Sequence, residues 1–87
     1  MKILKNILYK VSIESVIGST DKSVAGLQYD SRSIEKNDVF VAIKGGAFDG
    51  HAFISQAIDK GAVVIVCQDL PAKTLDTVTY VKVYNTG

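Results

Sequence analysis

The sequence predicts a single α/β domain, a small mixed sheet built around a parallel βαβ unit with flanking helices. Three features carry this. Val39-Phe40-Val41-Ala42-Ile43 and Ala62-Val63-Val64-Ile65-Val66-Cys67 are apolar at every position, as strands covered on both faces are. Between them, Phe53, Ile54, Ala57 and Ile58 recur at helical spacing. Two strands joined through such a helix run parallel, with a right-handed crossover.

Taken in order, Ile3, Leu4, Ile7, Leu8 and Val11 recur at helical spacing with Lys2, Lys5, Asn6 and Lys10 between them, which predicts an amphipathic first helix. Ser19-Thr20-Asp21-Lys22-Ser23 has the composition of a turn. Val24 to Tyr29 alternates like a half-buried strand, and Asp30 to Asp38 is a charged connection. Val39 to Ile43 is expected to be central. Asp49 is placed to cap the helix that follows, and Gly61 to stop it. Ala62 to Cys67 is the second buried strand of the unit. Pro71 then interrupts the chain, and Tyr80-Val81-Lys82-Val83-Tyr84 alternates as a last strand.

With 87 residues, one core is all the chain can build, and a domain of this size buries roughly 60 to 65% of its unfolded surface. Ten Lys and Arg against nine Asp and Glu, scattered along the sequence, leave no basic field for nucleic acid or an anionic membrane. Lysines interrupt the first sixteen residues, so they lack the apolar core of a secretion signal. No stretch reaches the ~18 to 20 apolar residues of a membrane span. The one cysteine, Cys67, lies in an apolar strand, where a buried reduced thiol is expected. These features imply a cytoplasmic protein.

Few residues suggest chemistry. Ser31, at the end of a strand, reads by itself as a turn residue or a cap. Asp30 and Arg32 flank it and suit an ion pair with each other; the alternative is that Arg32 meets a diphosphate through its forked guanidinium. Gly45-Gly46-Ala47-Phe48-Asp49-Gly50 precedes a helix, as phosphate cradles do, yet it is neither a dinucleotide fingerprint nor a Walker A motif. A strand-to-helix loop that needs glycine explains it equally well. His51 is the only histidine, which removes a multi-histidine metal site and leaves a structural or solvent-facing group. Burial of Cys67 among apolar residues argues against a nucleophile.

Three segments together, Tyr29-Asp30-Ser31-Arg32, Asn37 through Gly45, and Asp49-Gly50-His51-Ala52-Phe53-Ile54, resemble the N-terminal, UDP-binding domain of the Mur ligases. The resemblance covers residues 24 to 67 and is strongest to the MurE type, which adds the third residue of the peptide. It implies that Ser31 hydrogen-bonds the uracil ring of a UDP-sugar and that Tyr29 helps form the pocket. Tyr29 departs from the smaller aliphatic residue of some relatives. Gly46, Ala47 and Phe48 would line the same site, largely through backbone.

The resemblance also implies the wider function. The parent ligase would activate the D-glutamate carboxylate of UDP-N-acetylmuramoyl-L-alanyl-D-glutamate as an acyl phosphate, using ATP and Mg2+. The amine of meso-diaminopimelate or L-lysine would then attack it, extending the peptidoglycan precursor. Residues 1–87 would hold only the UDP end of that substrate and bind neither ATP nor metal, since the central ATP-binding and C-terminal domains are absent from them. No catalytic residue is expected here. The alternatives are the corresponding domain of a MurF-type ligase and a non-enzymatic α/β interaction module.

Overall fold

The computed structural model describes residues 2–3, 13–19, 22–43 and 49–84. Their strands are β1 (Lys2–Ile3), β2 (Ile13–Ile17), β3 (Ser23–Val24), β4 (Leu27–Gln28), β5 (Val39–Val41), β6 (Val64–Cys67) and β7 (Thr79–Val83). One α-helix, α1 (Ile54–Lys60), follows directly on a 3-10 turn over Gly50–Phe53. Five strands form a mixed sheet in the order β2-β7-β6-β5-β4, while β1 and β3 pair separately. Within the larger sheet β4, β5, β6 and β7 run parallel and only β2 is antiparallel.

The expected βαβ unit is β5-α1-β6, with Val39 opposite Val64 and Val41 opposite Val66. Side chains alternate across a strand, so register decides what each face buries. Phe40, Ile65 and Tyr80 lie abreast on three adjacent strands, and they pack with Ile54 and Ala57 of α1. The opposite face buries Val39, Val41, Val64, Val66, Val81 and Val83 with Val24. Both apolar runs are therefore covered on both sides, as their composition required. Tyr80 is 1% exposed, and its hydroxyl accepts a hydrogen bond from the Leu75 amide at 3.1 Å.

The helix ends as its sequence directs, but it begins differently. Asp49 caps the 3-10 turn, accepting from the His51 amide at 2.9 Å, whereas α1 starts at Ile54 with Phe53 at its N-cap and no side-chain cap. Gly61 closes α1 at φ +120°, a conformation open to glycine. A Cβ on Gly61 would also lie 2.7 Å from the Lys36 Cα.

Elsewhere the structure corrects the sequence-based expectations. Ile3 belongs to a strand paired with Ser23, not to an opening helix; residues 4–12, where the rest of that helix was expected, lie outside the described residues. The strand expected from Val24 to Tyr29 is broken in two. Val24 pairs with Lys2 in the small sheet, whereas Leu27 pairs with Val39 in the large one, and residues 25–26 carry the chain across. That crossing is fastened by Ala25 N–H to Asn37 O and Val39 N–H to Gly26 O, both 2.8 Å. β2 was not anticipated. The last strand starts one residue earlier than expected, at Thr79, and the two buried strands are shorter than their apolar runs. Phe53, assigned to the buried stripe, lies in the 3-10 turn and is only half-buried.

Candidate functional site

β4 runs parallel to β5 and delivers the chain, at Tyr29, to the end of the sheet from which the α1 connection also departs. There Asp30, in an extended conformation, opens a 3-10 turn over Ser31–Ser33. Its carboxylate does this twice over. Oδ1 accepts from the Arg32 amide at 2.9 Å and from Arg32 Nε at 3.1 Å, while Oδ2 accepts from Arg32 Nη2 at 2.9 Å. These bonds hold the Asp30 carboxyl at about 2, well below its ordinary value, and raise that of the guanidinium. Arg32 is thus engaged with its neighbour, the pairing its sequence position suggested.

The turn points Ser31 inward. Its side chain is buried at 6% exposure between two exposed neighbours, and Oγ donates to Gln56 Oε1 of α1 at 3.5 Å. That distance is long for an O–H···O bond, whose usual length is about 2.7 to 2.8 Å. The hydroxyl is thus lightly held. Lys60 at the end of α1 donates to the Arg32 carbonyl at 3.2 Å, so helix and turn are tied together at a second point.

Between turn and helix lies a pocket of about 600 Å³. Tyr29 through Arg32 line one side of it, and Phe40 contributes from β5. Gly50, Phe53 and Gln56 complete the lining from the 3-10 turn and α1. Gly50 is required for close approach: its amide donates to Ile43 O at 2.7 Å, and a Cβ there would come within 2.8 Å of Ile43 N.

Of the five residues the sequence singled out, the structure brings Tyr29 and Ser31 together on this pocket. Gly46, Ala47 and Phe48 lie outside the described residues. The two ends of their segment are joined, however, by the Ile43–Gly50 hydrogen bond, and Gly50 is on the pocket. Gln56, Phe40 and Phe53 were missed as site residues. Phe40 and Phe53 carried only a core signal, and Gln56 only that of a solvated helix face.

His51 is structural. Nε2 accepts from the amides of Gln68 at 2.9 Å and Asp69 at 3.2 Å, which leaves the proton on Nδ1, 2.6 Å from Asp49 Oδ1. The ring therefore staples the start of the helical segment to the turn after β6. Cys67 is fully buried, and burial, assisted by the Asp69 charge, pushes its thiol up to about 11. Among the described residues no group of three or more His, Cys, Asp or Glu side chains is arranged to hold a metal ion. Nor is any described helix long and apolar enough to cross a membrane.

Residues 23–86 match the family model described as Mur ligase family, catalytic domain. The UDP-N-acetylmuramoyl-L-alanyl-D-glutamate--2,6-diaminopimelate ligase of Phocaeicola vulgatus is 41% identical over 83 residues, 95% of this chain and 17% of that protein. The enzymes of the same name from Cytophaga hutchinsonii and Clostridium tetani are 47% and 49% identical, over 78% and 72% of this chain and 14% and 13% of their own lengths. The chain thus spans 13 to 17% of the curated relatives it matches. Among solved structures, MurF from Acinetobacter baumannii superposes with a TM-score of 0.65 at 28% identity, over 75% of this chain and 14% of that one. MurF from Thermotoga maritima in complex with ADP gives 0.62 at 30% identity, over 72% and 14%.

Proposed function

Because this chain belongs to the Mur ligase family, we propose that its pocket holds the uridine end of a UDP-N-acetylmuramoyl-dipeptide for a ligase that adds the third residue of the peptide. The observation that carries this is the buried, lightly held Ser31 hydroxyl on a pocket of about 600 Å³ with aromatic lining. Pockets for small molecules run about 300 to 1,000 Å³, mostly apolar with a few convergent polar groups. A planar base finds apolar surface on Phe53, above a floor that includes the buried Phe40, and its edge meets Ser31. The resemblance assigns Gly46, Ala47 and Phe48 to the same site, and the described residues that flank them meet at the Ile43–Gly50 hydrogen bond.

The relatives' names favour a diaminopimelate-adding ligase over the MurF type, whose solved structures are similar at 28 to 30% identity. In this reading the remainder of a longer polypeptide carries ATP and Mg2+, which supply the phosphoryl group that activates the substrate carboxylate. The present residues bind neither; they anchor the substrate's far end, and that anchoring positions the carboxylate for reaction. Diaminopimelate or lysine is selected elsewhere in the polypeptide, and the ligase works in the cytoplasm, with its soluble substrate.

Calorimetric titration of UDP into the chain and into Ser31→Ala tests the proposal. A lone uridine anchor is expected to bind with Kd on the order of 0.1 to 1 mM, about 4 to 5.5 kcal/mol. Loss of the hydroxyl leaves a base atom unpaired and weakens binding by about 1 to 1.5 kcal/mol, with melting unchanged. Equal affinity in the two proteins would remove Ser31 from the site.

A further inference from the structure

Gln56 stands on the exposed side of α1, where a polar residue ordinarily faces only water, yet it lines the pocket and its carboxamide oxygen sits 3.5 Å from the buried Ser31 hydroxyl. Resting on the uridine reading above, we infer that Gln56 is the specificity-determining residue of the pocket and selects a base with an imide edge over one with an amino edge.

A carboxamide offers an acceptor and two donors in one plane. A cyclic imide such as uracil presents an N–H flanked by two carbonyls, which pairs with that plane twice: the ring N–H donates to Oε1, and Nε2 donates to a neighbouring carbonyl. Ser31 fixes the arrangement. Its hydroxyl lies on the Oε1 side, so the acceptor is held toward the turn and the donors are free for the ligand's carbonyl. When a base enters, Oε1 takes the ring N–H on its second lone pair, and the Ser31 hydroxyl shares its proton between Oε1 and the ring carbonyl on that side, so the carboxamide stays oriented. Cytosine presents a bare ring nitrogen and an amino group in the same places. It would face the Gln56 acceptor with an acceptor and the Gln56 donors with a donor, so both bonds that uracil makes to the carboxamide are lost.

The variant Gln56→Glu separates this from a merely structural role. Glutamate matches glutamine in helix propensity and the site is exposed, so the fold is retained, which an unchanged melting curve checks. A carboxylate, however, only accepts. UMP and CMP are titrated into the chain and into Gln56→Glu, with backbone amide shifts as the readout. The unaltered chain is expected to bind UMP about tenfold more tightly than CMP, and Gln56→Glu to bring that ratio to one or below by losing UMP affinity. If UMP shifts the pocket amides in both proteins and the UMP:CMP ratio is the same, Gln56 does not select the base, while the uridine site itself stands. If UMP shifts no pocket amide in the unaltered chain, the uridine site is wrong and the inference falls with it.

Discussion

Asp30 commits both carboxylate oxygens to Arg32 and, through one of them, also caps the turn that buries Ser31. The pair is solvent-exposed, so its value lies in the direction it gives Ser31 more than in stability. Its carboxyl is expected to titrate at about 2, and in Arg32→Ala to return toward 3.8, which carbon-detected NMR of the Asp30 carboxyl measures. The folded value lies below the unfolded one. Whatever the pair adds to stability is therefore complete above pH 3.8 and is lost as the pH falls through about 2. An unshifted Asp30 would show that the pair does not form in solution. At this scale the sequence was partly legible. The Asp30–Arg32 pair follows from adjacency, but Ser31 looked like any turn serine until the resemblance singled it out. Gln56 could not be found, because twenty-five positions separate it from Ser31 and only the packing of helix on turn joins them.

The elements that declared themselves are those whose pattern admits one outcome. β5 and β6 are uninterrupted apolar runs too short for buried helices, with an amphipathic helix stopped by Gly61 between them, and they pair as expected. β2 did not declare itself: Ile13, Val16 and Ile17 keep no period of two, although they fall off the helical face of Ile3, Leu4, Ile7, Leu8 and Val11. The β-branched side chains were the overlooked signal. It is an edge strand with mostly exposed side chains, tied to β7 by backbone pairing and by Lys82 to Glu14 at 3.1 Å. The break at residues 25–26 was likewise hidden, since each half alternates and only the partner changes. Burial ranks the helix contacts. Ile54, 5% exposed in the core, is expected to cost about 2 to 5 kcal/mol when cut to Ala. Half-buried Phe53→Ala should cost about half of the 3 to 5 kcal/mol of a fully buried phenylalanine. Urea melts of the two variants measure this, and a Phe53 variant weaker than the Ile54 one would place the core on the wrong side of the turn.

At the scale of the molecule, sheet and helix form a frame that holds the pocket of about 600 Å³ at the end of the parallel strands, where ligands of open α/β sheets commonly bind. The central β5-α1-β6 unit of that frame was legible in the sequence, but β2 and the broken strand were not. Of the pocket, Tyr29 and Ser31 came from the resemblance, while the walls from β5 and α1 appear only once the chain is folded. On the proposed function, anchoring belongs to this chain and the phosphoryl chemistry to the rest of a longer ligase. Addition of ATP with Mg2+ is accordingly expected to leave the amide spectrum unchanged and to release no phosphate; saturable shifts or turnover would place nucleotide triphosphate chemistry here. The most direct measurement is a UDP titration followed by backbone amide shifts. Saturable changes are expected at Tyr29 through Arg32, at residues 45–51, and at Phe53 and Gln56, with Ser31→Ala responding about tenfold more weakly. Shifts centred instead on β2 and β7, or an equal response in Ser31→Ala, would contradict the uridine anchor at this pocket.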